Sequence, residues 1–149
     1  MNDIIVTSRR DINNVVKNQS YPFAIISITD DRSHYANIAI ADPLQCAGIC
    51  RLRFGDVTTK EIATLSNTTL FCEKQAKIIL KFVESIRDSI EVLIVQCDAG
   101  ISRSAGVALA LHRILQLHPE QITDNPRYFP NFFVVALLMR TAFNTHIIK

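Results

Sequence analysis

The stretch VLIVQCDAGISRSAGVALALHRIL, residues 92–115, decides how this chain is read. Its opening VLIVQ is β-prone and almost free of polar residues, as in a strand covered on both faces. From Ser104 to Leu117 the pattern is helical and apolar nearly all round, as in a central, well-buried helix. Cys97 falls between the two, where the strand has ended and the helix has not begun. A structural cysteine would sit as well inside the strand. Arg103 follows six residues later.

A loop at such a junction can turn successive N–H groups toward one centre and form an anion-binding nest. The helix behind it adds unsatisfied N–H groups and the positive end of its dipole. Gly100 supplies the backbone freedom for the curl, and Arg103 a permanently charged fork matched to two phosphate oxygens. The candidate phosphate loop is therefore Asp98, Ala99, Gly100, Ile101, Ser102 and Arg103. Cys97 stands at its rim, where a thiol is expected to ionise readily. Thiolate and tetrahedral oxyanion meet in one place, as nucleophilic attack on phosphorus requires.

Working outward, DIIVTS reads as a short strand, with Ser8 as the cap of a helix through RRDINNVVKNQ. FAIISIT is a continuous apolar run and predicts a strand buried on both faces. The following DDRSHYANIAIADPLQCAG is turn-rich, and Asp30 and Asp31 read as turn residues. ICRLRF alternates Ile49, Arg51 and Arg53 with Cys50, Leu52 and Phe54, which predicts another strand. FGDVTTKEIATLSNTT predicts a loop holding a short helix. Cys72, Ala76, Ile79, Val83 and Ile86 recur at spacings of four and three on one helix face, which puts Cys72 in the core. Pro119 is expected to close the helix after the phosphate loop, and Pro130 to open a final one through NFFVVALLMRTAF. Strands alternating with helices imply an α/β fold: a single compact domain, residues 1–149, whose central, mainly parallel sheet is flanked by helices. Ligands of such sheets bind beyond the carboxyl ends of the strands, the position of Cys97.

With 149 residues, 48% hydrophobic and 20% charged, the chain is long enough for one core and too apolar for disorder. A net charge of +2 is too small to argue for nucleic acid or an anionic membrane, and neither is expected as a partner. The pairs Arg9-Arg10 and Arg51/Arg53 read as solvated surface. MNDIIVTSRRD does not read as a signal peptide. The apolar run FFVVALLM is far short of the ~18 residues that span a bilayer. Cys46 and Cys50 lack a second close Cys/His pair for zinc, so a reduced, cytoplasmic setting is the simplest reading.

The run Cys97-Asp98-Ala99-Gly100-Ile101-Ser102-Arg103-Ser104, C-x5-R followed by Ser, resembles the signature of the protein tyrosine phosphatase superfamily. The strand before it and the SAGVALAL helix after it look most like small dual-specificity-type members. ISIT, RLRFGD, FCEKQAKIILKFV and the late PN extend the likeness over most of the chain in the family's order. This resemblance implies hydrolysis of phosphotyrosine, with or without phosphoserine and phosphothreonine, in a phosphorylated protein or peptide. Cys97 would attack phosphorus to give a cysteinyl-phosphate, which water would hydrolyse. Arg103 would bind the equatorial oxygens, more strongly in the transition state, and Ser104 would hydrogen-bond the sulfur and help it leave. The family also takes a carboxylic acid from an earlier loop. Asp56 in RLRFGDVTT follows a predicted strand and precedes the helix at 72–86, as that acid does, although it stands farther from the cysteine than is typical. Asp42 in ADPL is the second candidate; Asp30 and Asp31 are weaker ones, because they directly follow the second predicted strand and read as turn residues. The implied mechanism asks for no metal and no cofactor.

One position departs from the pattern: Gln96 stands where the family usually has His. Gln can donate to loop carbonyls but carries no positive charge, and Asp98 adds a negative one, so a slower enzyme is expected. The loop lysines of phosphoinositide phosphatases are replaced here by Asp98, Ala99 and Ile101, which disfavours an inositide substrate. Tyr35 and Tyr128 are the available rim aromatics. The alternative to an active phosphatase is a weak or inactive pseudophosphatase that binds phosphorylated partners. Sulfur transfer on a related loop is a third reading, although such loops usually have one residue fewer between Cys and Arg.

Overall fold

The computed structural model describes residues 1–148. Four strands form one sheet: β1 (Asp3–Ser8), β2 (Phe23–Thr29), β3 (Cys46–Arg53) and β4 (Val92–Cys97). Their order is β1-β4-β2-β3 and every neighbouring pair is parallel. The helices are α1 (Ile12–Lys17), α2 (Lys60–Leu65), α3 (Glu73–Ile86), α4 (Arg103–Ile114), α5 (Glu120–Thr123) and α6 (Phe132–Thr145).

All seven residues of β2 are buried, as its unbroken apolar run predicts, because helices cover both faces of the sheet. Successive side chains alternate between those faces. Ala24, Ile26 and Ile28 of β2, with Leu93 and Val95 of β4, join the large core under α3, α4 and α6. Ile25 and Ile94 point the other way and pack with Ile12 and Val16 of α1. Burying each such side chain contributes roughly 1.5–3 kcal/mol.

Helix α4 is buried at every position from Arg103 to His112, since it lies between the sheet and α6. Gly106 permits that sandwich. A Cβ there would fall 2.9 Å from the Asn131 carbonyl oxygen, so only glycine lets α6 begin so close to α4.

Several boundaries differ from the sequence reading. Helix α1 starts at Ile12, and Ser8 does not cap it; the Ser8 hydroxyl accepts the Asp11 amide at 3.1 Å within the preceding turn. Strand β3 begins before Ile49, because Cys46 pairs with Phe23. Helix α3 starts at Glu73, which leaves Cys72 as an exposed N-cap residue, not a core one. Helix α4 ends at Ile114, ahead of Pro119, where Gln116 takes a left-handed φ of 55°. Pro119 instead precedes α5. Asn131 caps α6, its side-chain oxygen accepting from the amides of Phe133 and Val134.

Arg10 is exposed as read, but Arg9, Arg51 and Arg53 are only half-exposed and are engaged by the protein. Each donates to carbonyls of the segment 30–36, and Arg51 and Arg53 lie over the Tyr35 ring. A turn-rich segment has many carbonyls without ladder partners, and guanidiniums supply the missing donors. Among the described residues no helix is long and apolar enough to cross a membrane.

Candidate active site

Because the strands are all parallel, their carboxyl ends share one edge. Ser8, Thr29, Arg53 and Cys97 finish there, and the site is built from the residues just beyond them.

The loop after β4 curls tightly against β1. Gly100 has φ of 69°, and a Cβ on it would lie 2.7 Å from the Ser8 nitrogen, so both the conformation and the space call for glycine. The surrounding chain takes up the loop's carbonyls. Asp98 accepts from the Arg9 amide and Ile101 from the Phe129 amide, each at 3.0 Å. Ser102 accepts from Gly106 at 2.8 Å and Asn131 at 3.0 Å. Among the described residues, the amides of Ala99, Ile101 and Ser102 donate to no protein acceptor. Free amides at the start of a buried helix suit an oxyanion.

The Cys97 sulfur is buried within this curl, 3.0 Å from the Ser104 hydroxyl, and it accepts the Gly100 amide at 3.3 Å. The Arg103 side chain is only 7% exposed. Its Nη1 donates to Asp30 Oδ1 at 2.5 Å and to the Phe54 carbonyl at 2.9 Å. Nε and Nη2 have no hydrogen-bond acceptor among the described residues, which leaves that edge of the fork for a ligand.

Gln96 is fully buried. Its side-chain oxygen accepts from the Ser27 hydroxyl at 2.5 Å and its amide donates to the Cys97 carbonyl at 3.0 Å. The site thus has a neutral hydrogen-bond bridge behind the cysteine.

Asp56 is exposed and reaches the loop. Its Oδ1 accepts from the Ser102 hydroxyl at 2.8 Å and the Asn131 side-chain amide at 3.0 Å. Asp42 lies far away. It precedes Cys46, which pairs with Phe23 at the start of β2, whereas Cys97 ends β4. A six-residue strand separates those edges by about 20 Å. The second acid candidate is therefore at the wrong end of the sheet.

The remaining thiols differ in kind. Burial pushes Cys50 up to about 11 and raises Cys46, which keeps both protonated near neutrality. All four cysteines are free, and exposed Cys72 forms no disulfide with Cys97.

Asn131 has no site role in the sequence reading, and Asp30, there a turn residue and a weaker acid candidate, is found instead against Arg103. The PN dipeptide marks a helix start, but nothing local tells that the Asn131 amide reaches Asp56. Asp30 meets Arg103 across 73 positions, a contact with no local signature.

These elements define a class by architecture: a parallel α/β sheet with a cysteine loop leading into a buried helix, the fold of the small dual-specificity phosphatases. Among solved structures, the human tyrosine phosphatase-like serine/threonine/tyrosine-interacting protein is similar with a TM-score of 0.62 at 15% identity, over 95% of this chain and 91% of that one. Human DUSP28 gives 0.61 at 15% identity, over 96% and 93%. Tk-PTP in the active form gives 0.54 at 16% identity, over 94% and 92%. No protein-family model and no curated protein matches the chain. At such identities the likeness establishes the fold.

Proposed function

We propose that this protein is a cysteine-dependent phosphatase acting on phosphotyrosine, and also on phosphoserine or phosphothreonine, in phosphorylated proteins or peptides. The observation that carries this reading is the convergence, on one loop, of a buried thiol, an anchored guanidinium with a free edge and the Asp56 carboxyl. The Cys97 thiolate attacks phosphorus as the P–O bond to the substrate breaks. Asp56 gives its proton to the leaving oxygen, while Arg103 and the free loop amides hold the three equatorial oxygens. The Asp56 carboxylate then takes a proton from water, the resulting oxygen attacks phosphorus, and the S–P bond breaks. Ser104 donates to the departing sulfur. The reaction asks for no cofactor, and the free thiols fit a reducing, cytoplasmic compartment.

The test is phosphate release from a phosphotyrosine peptide and from p-nitrophenyl phosphate. Cys97→Ser should abolish both activities. Asp56→Asn should cost about 10²–10⁴-fold on the peptide and far less on the nitrophenyl ester, whose leaving group needs little protonation. Wild-type protein that binds the phosphopeptide but releases nothing would replace the enzyme with a phosphate-dependent binding module. Equal activity of Asp56→Asn on the peptide would move the acid role to another carboxyl.

A further inference from the structure

A guanidinium can grip two phosphate oxygens only if one edge of its plane is aimed at them, and a long side chain does not aim itself. In this chain the aim comes from outside the loop. Nη1 of Arg103 has two acceptors, Asp30 Oδ1 just beyond β2 and the Phe54 carbonyl just beyond β3. Two acceptors on one terminal nitrogen fix the plane and leave the opposite edge unused. Asp30 is itself held. Its carbonyl accepts from Arg53 Nη1 at 3.1 Å, and the carboxylate of neighbouring Asp31 takes the Thr68 hydroxyl at 2.7 Å and the Thr69 amide at 2.5 Å. The Asp30 side chain is 45% exposed, more than a residue kept only for packing would be.

We propose that Asp30 is a positioning residue: its carboxylate holds the far side of Arg103 so that Nε and Nη2 face the oxyanion. This rests on the reading of Arg103 as the phosphate ligand. Two effects of Asp30 have opposite sign. Its charge repels a bound oxyanion, whereas its hydrogen bond orients the group that binds it. Asn and Ala remove the charge equally, but only Asn keeps an oxygen that can accept from Nη1. The comparison between those two variants therefore isolates the geometry.

The probe is tungstate, measured by titration calorimetry, with p-nitrophenyl phosphate turnover in parallel. Asp30→Asn is expected to bind tungstate about tenfold more tightly than Asp30→Ala, the worth of one hydrogen bond to a charged group. The kcat values should fall in the same order, with the two thermal midpoints alike. If alanine lowers the midpoint, Asp30→Ser, too short to reach the guanidinium, is read in its place. Equal tungstate affinity in the Asn and Ala variants overturns the proposal even where turnover is normal. A wild type that binds tungstate without releasing phosphate defeats the phosphatase reading, and the binding comparison still judges Asp30. A wild type that fails to bind tungstate defeats both.

Discussion

Ser104 stands 3.0 Å from the Cys97 sulfur, close enough to donate to it throughout a reaction cycle. In the proposed mechanism its donation matters most when negative charge returns to sulfur, as the S–P bond breaks. Ser104→Ala should therefore leave the first step fast and slow the second, about tenfold or more for a lost hydrogen bond to a charged group. Rapid-mixing kinetics with p-nitrophenyl phosphate would show a burst of nitrophenol, one per enzyme, followed by slow turnover. A uniform slowing without a burst would place the serine's effect on the first step. Gln96 is clamped between Ser27 and the Cys97 carbonyl, so this position ties the loop to the sheet through neutral hydrogen bonds alone.

Among the elements, the start of α6 has the widest reach. Asn131 caps that helix with its oxygen, and its amide donates to Asp56 and to the Val57 carbonyl at 3.2 Å. Its backbone N–H donates to the Ser102 carbonyl in the loop after β4. One residue thus joins the Asp56 segment, the loop after β4 and the last helix. Asn131→Ala should cost about 0.5–2 kcal/mol of stability from the lost cap, visible in urea unfolding. On the proposed mechanism it should also lower peptide dephosphorylation more than nitrophenyl phosphate hydrolysis, because only the former depends on a well-aimed acid. Equal loss on both substrates would reduce Asn131 to a helix cap.

For the molecule as a whole, acid should weaken the fold in two separate steps. His112 is fully buried, with Nδ1 accepting the His118 amide at 3.1 Å. Burial holds its pKa below the ordinary value, and nearby Asp3 and Glu120 offset that only in part. The unfolded chain takes up this proton below about pH 6.5, whereas the folded one resists it. The stability in question is present above that pH and lost as pH falls toward the depressed folded pKa. Asp31 follows the same sign at lower pH. Burial pushes its carboxyl up, but hydrogen bonds from Thr68 and Thr69 and the Arg53 charge together hold it below the usual carboxylate value. Its contribution is present above about pH 4 and lost below. Thermal midpoints measured from pH 8 to 3 should stay level, drop below 6.5 and drop again below 4. His112→Gln should flatten the first step and Asp31→Asn the second; unchanged profiles would remove these groups as the cause.

The local code carried a good deal. The mostly apolar runs of β2 and β4 announce strands buried on both faces, because a chain segment with no polar face must be covered twice. The Cys97–Arg103 spacing between a strand and an apolar helix was readable for the same reason: its parts are neighbours in the chain, and short-range geometry joins them. Cys72 shows where this fails. Its spacing matched the core face of α3, but the helix begins one residue later and leaves it exposed as the N-cap. The contacts of Asp30 and Asn131, and the placing of Asp42 at the other end of the sheet, belong to the tertiary structure alone. Only parallel packing decides which loops share the carboxyl edge of the sheet, and a contact across 73 or 75 positions leaves no periodicity to read.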